Sequence, residues 1–585
     1  MFRFSSCVVA LLLCLQQAAA AQGFFPLKDV RAGMHGVGRT VFHGEQIEQF
    51  QVEILGVLKN LGPKQSIILA RLSGGPLAET GVMQGMSGSP VYIDGKLLGA
   101  IALGFPFSKE PIAGIQPIES MLAAASAGAG LEPHATLQNR ASAPAIPSPF
   151  GKLTEILTPV ALSGFTPGTL PAFAARFRSL GLEPQQGVSA GAPPSQNYSG
   201  TVQPGSMISV SLLSGDLNVN ADGTVTYVDG KRIYAFGHRF LDAGSVELPF
   251  ARSDVIAVIP TLMSSFKVST PRSWAGTILS DRSTAIAGEI GRPAHMVPLS
   301  IDVRSGITGD HAYELQVINN RLLTPFITQT ALFSVIDATE RTLGAGTLRL
   351  TGRIQFDAGI PDLVIRNTFI SDSALPQQVS ADAVVPLGFV LSGEFRNLHL
   401  KKMSFQLDVS ETKRELRVAQ AWASAHEVRP GDTVEITALL QGENGIEVTK
   451  TATYKVPVGA PTGGLNFTLS DANTLNGPEF IGFTQSSLQN PADLIRAINA
   501  FRDSDALYIR VWRQEPAFTV AGPLPGGELG DPPPSVALIL ADPSSSATSN
   551  AALTLTRGSQ VAEMRIPVSG YAVTGAKTIQ VDVKE

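Results

Sequence analysis

Residues 84–101 constrain the fold more than any other stretch of the chain. They read Gln84-Gly85-Met86-Ser87-Gly88-Ser89-Pro90, then Val91-Tyr92-Ile93, Asp94-Gly95 and Lys96-Leu97-Leu98-Gly99-Ala100-Ile101. A serine between glycines marks a turn too sharp for a Cβ at every position. Asp-Gly between two apolar runs predicts a two-residue hairpin, because such a loop needs positive φ at its centre. A hairpin needs a sheet to sit in, and the composition supplies one. There are 57 Gly and 40 Pro, and only 16% of residues are charged. Many short Val/Ile/Thr/Leu runs punctuated in this way predict a mainly β chain. A length of 585 residues corresponds to about four domains of ~150 residues. A net charge of −5 argues against a nucleic-acid partner.

The N-terminus reads as a targeting segment. Arg3 gives a positive start, Cys7 to Leu15 form a short apolar core, and Ala18-Ala19-Ala20-Ala21 offer a cleavage site before Gln22. The apolar run is too short to span a membrane, and no later run reaches ~18 residues without a charge or breaker. Leu13 precedes Cys14, where a lipidation signal carries a small residue. Both cysteines lie in this segment, so the mature chain is expected to have neither disulfides nor a cysteine metal site. Export to the periplasm or the extracellular space is the expected localisation.

The string Gly85-Met86-Ser87-Gly88-Ser89-Pro90 followed by the Asp94-Gly95-Lys96-Leu97 hairpin resembles the SpoIVB serine peptidase family. Gly114-Ile115-Gln116-Pro117-Ile118 is similar to that family's Gly-Ile-x-Pro-Ile stretch after the hairpin. The resemblance implies a trypsin-like double β-barrel with a Ser/His centre. Ser87 would be the nucleophile, and the backbone N–H groups of Gly85 and Ser87 would hold the oxyanion. It implies a protein or peptide substrate and no cofactor.

A second stretch carries the other half of the resemblance. Met207–Leu213, Gly223–Val228 and Arg232–Phe236 read as three strands, with Asp229-Gly230 at the turn between the last two. The third ends in Gly237-His238, similar to the family's Gly-His, and His238 is the candidate general base. In the family the histidine half precedes the serine half, whereas Ser87 precedes His238 here. The order is that of a circular permutation, which geometry-based catalytic sets tolerate. A PDZ-like segment, which the sporulation protease of the family carries, is not evident. The family's acidic residue, some fifteen positions before its nucleophile, has no match, since Leu72-Ser73-Gly74-Gly75-Pro76 holds no carboxylate. Asp281 is the first choice for the third member, with Asp242 as rival; a turn aspartate, or one paired with Arg282, is the plainer reading of Asp281. A Ser/His dyad is the remaining alternative.

The expected organisation is a signal peptide at 1–21 and a serine-bearing barrel at 22–124. A linker with a short strand and helix follows at 125–200, and a histidine-bearing barrel at 201–310. A mixed α/β segment at 311–418 and a β-sandwich-like domain at 419–585 complete the chain. Within these, Leu170–Leu180 reads as a helix ended by Gly181. Leu323–Ala338 and a Pro386-interrupted Ala381–Leu391 are further helix candidates. Asn490 is the N-cap of a helix whose apolar face is Leu494, Ile495, Ile498 and Phe501.

Bland readings stand beside each site residue. Ser87 is otherwise an ordinary turn serine, and His238 a capping histidine. His35, in Gly33-Met34-His35-Gly36, is a rival base, and the Gly33–Gly38 stretch reads as a β-turn because it lacks the features of a phosphate loop. The remaining histidines show no metal-ligand spacing. Two functions from different classes therefore remain. One is a secreted serine endopeptidase acting on peptides, its own chain included. The other is a non-catalytic envelope protein that keeps the barrels as a scaffold.

Overall fold

A computed structural model describes residues 23–62, 65–126, 146–148, 151–188, 199–306, 309–339, 343–357, 359–373, 375–393, 395, 398–484, 490–514, 517–520, 528–529, 553–556 and 559–585. The targeting segment and both cysteines lie outside these residues. The chain divides into two compact units, residues 1–296 and 297–585.

The first unit contains two closed barrels. The first is built from β1 (His35–Val41), β2 (Ile47–Gly62), β3 (Gln65–Ser73), β4 (Pro90–Ile93), β5 (Lys96–Gly104) and β6 (Ile112–Pro117). Hydrogen bonding runs β4-β1-β2-β3-β6-β5, and β5 returns to β4. Six antiparallel strands thus close on themselves and leave no edge. Phe50, Val52, Ile54, Ile68, Leu72, Leu98, Ile101 and Ile115 fill the interior.

The second barrel repeats this closure. Its strands are, by residue range, β7 (Ile146–Ser148) and β8 (Gly151–Glu155) excepted, β9 (Thr158–Ser163), β10 (Leu182–Gln186), β11 (Met207–Gly215), β12 (Asn218–Asp229), β13 (Arg232–Ala235), β14 (Gly244–Ile259), β15 (Phe266–Arg282) and β16 (Ala285–Ile290). The ring is β12-β13-β16-β15-β14-β11, with β11 pairing back to β12. β9 and β10 extend it from β12, while β7 and β8 attach to β5 of the first barrel. The expected trypsin-like double barrel is therefore present, with the serine barrel first along the chain. The histidine barrel closes at Ile290, earlier than the expected 310.

Turn chemistry explains both hairpins. Ile93 pairs with Lys96, so the loop is Asp94-Gly95, and both residues have positive φ as expected. In the second barrel Asp229 pairs with Arg232, so the loop is Gly230-Lys231, one residue later than predicted. Gly230 takes the positive φ there, at 58°, and Asp229 remains in the strand. The Gly33–Gly38 stretch is a correction. Only Gly33 turns, and His35 begins β1. Gly36 and Gly38 are strand glycines because a Cβ on Gly38 would lie 2.0 Å from the Phe50 ring, and one on Gly36 2.3 Å from the Tyr92 carbonyl.

The second unit has a mixed sheet followed by a sandwich. Leu299–Ser305 runs parallel to Met403–Val409, and Leu343–Phe356 runs antiparallel to both Leu363–Ser373 and Leu400–Ser410. Helices Leu323–Thr339 and Leu375–Ser392 lie in this part, and the second continues through Pro386 rather than breaking there. In the sandwich, Thr433–Gln441 alternates strictly, turning Val434, Ile436, Ala438 and Leu440 inward. They meet Leu465, Phe467, Leu469, Leu507, Ile509 and Val581 of the facing sheet, as a two-sheet core requires. The Asn490 cap is realised, its side chain accepting the Ala492 N–H at 2.9 Å. A helix at Ala472–Thr484, with Pro478 inside it, was not anticipated. Among the described residues no helix is long and apolar enough to cross a membrane.

Candidate active site

Ser87 lies in the turn between α1 (Leu77–Thr80) and β4. Gly85 and Gly88 have φ of +88° and +93°, a region that L side chains rarely adopt. Space demands glycine at 88 as well. A Cβ there would sit 1.9 Å from the Thr224 carbonyl oxygen and 2.6 Å from the Phe236 nitrogen.

Strand β12 of the second barrel holds this turn from behind. The Thr224 hydroxyl donates to the Gly85 carbonyl at 2.9 Å, and the Thr226 hydroxyl to the Gly88 carbonyl at 2.7 Å. The Thr224 N–H donates to the Ser87 carbonyl at 2.9 Å. Two further carbonyls are tied as well: Gln84 O accepts the Lys267 N–H, and Met86 O accepts the Ser89 N–H. In a trans peptide the N–H points opposite to its carbonyl. Tying Gln84 O and Met86 O therefore directs the Gly85 and Ser87 N–H groups the other way. Among the described residues neither amide has a protein acceptor, while the Met86 N–H between them goes to Met83 O. An oxyanion hole requires free donors of this kind aimed at one point.

His238 follows β13 on a sharp corner, with Phe236 and Gly237 both at φ +71°. A Cβ on Gly237 would lie 3.0 Å from the Ala100 Cβ and 3.2 Å from Ile101 O, and Ile101 O is the acceptor of the Gly88 N–H. The backbones bearing Ser87 and His238 thus come from different barrels and touch. The His238 Nδ1–H donates to the Arg239 carbonyl at 2.6 Å. A carbonyl can only accept, so Nε2 carries the free lone pair, as a base requires. Both Ser87 Oγ and His238 Nε2 are buried and have no hydrogen-bond partner. Burial pushes the His238 pKa below its ordinary value, and Glu155, ion-paired with Arg239 at 3.0 Å, acts in the opposite sense.

The acidic candidates fare differently. Asp281 is fully buried, but its carboxylate is occupied by the backbone N–H groups of Phe240, Leu241 and Ala243 at 2.8, 2.7 and 3.1 Å. It shapes the loop that follows His238 rather than gripping the imidazole. Burial raises its pKa to about 6 against the pull of those three amides. Asp242 is exposed on the same loop, and His35 is exposed at the start of β1.

Sequence reasoning missed Thr224, Thr226 and Lys267. Thr224 and Thr226 sit in a run read simply as a strand, and a threonine in a strand carries no signal of its own. Lys267 and Ser269 show the inward period of a buried strand face, the one available hint.

The double-barrel fold is that of a trypsin-like serine peptidase. Residues 26–122 match the family model described as SpoIVB peptidase S55, and the similarity of that segment supports a serine-type peptidase activity. Ser87 lies inside the match and His238 beyond it. No curated protein and no solved structure matches the chain.

Proposed function

We propose that the chain is an exported serine endopeptidase whose two catalytic halves occur in permuted order. Ser87 Oγ attacks a peptide carbonyl carbon and forms a C–O bond, while His238 Nε2 takes the hydroxyl proton. The carbonyl oxygen becomes an oxyanion held by the Gly85 and Ser87 amides. Collapse breaks the C–N bond, His238 returns the proton to the leaving amine, and water then releases the acyl group by the same steps. The substrate is a peptide segment, the enzyme's own chain included. The observation that carries this reading is that Ser87 Oγ and His238 Nε2 are both buried without a partner on backbone turns that pack against each other, with the Gly85 and Ser87 amides unused.

One observation favours the scaffold alternative. Ser87 has no exposed surface and His238 only 4%, so the peptide-accepting form must differ by opening over the serine. A fluorophosphonate probe decides between the two. The peptidase reading expects labelling of the wild type and none of Ser87→Ala. A folded wild type that stays unlabelled across the neutral range, including after proteolytic or detergent activation, refutes it in favour of the scaffold.

A further inference from the structure

Lys267 is a lysine with almost no surface, 1% exposed. It is the second residue of β15, whose first residue Phe266 bridges to Gln84 of the nucleophile turn. Its backbone N–H donates to Gln84 O at 3.3 Å. Its stem packs on Gly85, with Cδ 3.2 Å from the place a Gly85 Cβ would occupy. Its amine crosses to the first barrel and donates to Thr40 Oγ1 at 2.8 Å. One residue therefore joins the second barrel, the oxyanion turn and β1.

A buried carboxylate lines the same cavity. Asp222 on β12 is 2% exposed and accepts the hydroxyls of Ser209 and Ser269, the latter at 2.6 Å. Thr224, which clamps Gly85 O, lies two residues further along that strand. The charged groups that act on Lys267 are Asp222 and, on β2, Glu48. A buried lysine and aspartate contribute little to stability as a pair, and neither takes part in the proton transfers above.

We propose that Lys267 is a positioning residue for the oxyanion hole, orienting the Gln84–Gly85 peptide and holding a buried cation beside it, with the Asp222 carboxylate lining the same cavity. The inference rests on the peptidase reading. The backbone bond and the stem set the direction of the Gly85 N–H. The cation offsets Asp222, which would otherwise oppose negative charge developing on the substrate oxygen. Burial brings the Lys267 pKa down to about 7, against the pull of Asp222 and Glu48, and raises that of Asp222 to about 6. The pair therefore changes charge in the neutral range. As pH rises through about 7 the amine loses its proton, the carboxylate stays charged, and the oxyanion site weakens.

The test is the rate of Ser87 phosphonylation by a fluorophosphonate as a function of pH. In this step a Ser87 O–P bond forms, the P–F bond breaks, fluoride leaves and His238 takes the proton. The limiting rate and the half-saturating probe concentration are measured separately. Lys267→Met keeps the stem and removes the charge. It is expected to lower the limiting rate about tenfold, less than the loss of a whole donor, to leave half-saturation unchanged, and to abolish the alkaline limb near pH 7. Asp222→Asn removes the group that holds the lysine proton, so its alkaline limb moves to lower pH. Lys267→Arg keeps the cation and restores the rate without that limb. A folded Lys267→Met with the wild-type rate and profile overturns the proposal, as does a change confined to half-saturation or to melting temperature. If Lys267→Met does not fold, an Asp222→Asn limb at the wild-type position overturns it alone. A wild type that never labels removes the peptidase reading itself, and this proposal with it.

Discussion

Replacing Asp281 by asparagine separates two ways in which a buried aspartate can serve a histidine base. If its carboxylate held the imidazole tautomer, the amide would cost about 10⁴ in turnover, the penalty for presenting the wrong ring nitrogen. The structure assigns that task to the Arg239 carbonyl, 2.6 Å from Nδ1. Asp281 instead satisfies three backbone donors of residues 240–243. An asparagine oriented with its oxygen toward Leu241 and Ala243 keeps two of these bonds and turns an NH₂ toward the Phe240 N–H. One buried donor left unpaired costs about 1–3 kcal/mol. Expressed wholly as misplacement of His238, that is about a fivefold to 160-fold loss. Single-turnover phosphonylation of Ser87 measures it, with the position of the acid limb expected to stay where it is in the wild type. A loss near 10⁴, or a displaced limb, would refute the reasoning and return Asp281 to the imidazole. Stability supplies a second readout. The folded-state pKa of Asp281 is raised from 3.8 to about 6, so its contribution is fully present below 3.8 and is lost as pH rises through about 6. The full loss corresponds to about 3 kcal/mol. Thermal unfolding on either side of that pH should show a weaker decline in Asp281→Asn than in the wild type, and an unchanged slope would count against the burial argument.

Three further outcomes are expected. Because burial depresses the His238 pKa, its neutral form is favoured in the folded state, and the acid limb of the phosphonylation rate should fall below the usual histidine value of about 6.5; a limb above it would contradict the burial. Gly88→Ala forces a Cβ to within 1.9 Å of Thr224 O at φ +93° and should lose more than about 3 kcal/mol, read by denaturant unfolding, whereas Gly95→Ala meets no neighbouring atom and should lose less. In the second unit Arg502 joins Glu479 at 2.7 Å and Glu563 at 2.5 Å, with Arg510 pairing the same two glutamates, so Arg502→Met should cost about 1–3 kcal/mol in thermal unfolding, and no measurable cost would contradict the ion-pair account.

Several elements were legible because their signals are local. Asp94-Gly95 defines its own turn, since the positive φ it needs belongs to those two residues. Asn490 followed by Pro491 specifies a helix start whatever lies around it, and the cap bond forms as expected. The one-residue shift at Gly230-Lys231 has the same local cause, with the glycine taking the single position that needs it. Pro386 misled, because a proline inside a helix removes one hydrogen bond and a packed helix tolerates that loss.

By itself the amino-acid order determined the strand-rich class, the glycine-flanked turn around Ser87 and the identity of His238 as the histidine at a strand end. Only the tertiary structure decided that the two barrels close, that β12 ties the carbonyls of Gly85, Ser87 and Gly88, and that Lys267 lies beneath them. It also decided that Asp281 serves amides and not the imidazole. The physical reason is range. A turn is governed by the φ preferences of adjacent residues, whereas the direction of an amide in this site is set by donors more than a hundred residues away, and no spacing along the chain records where they meet.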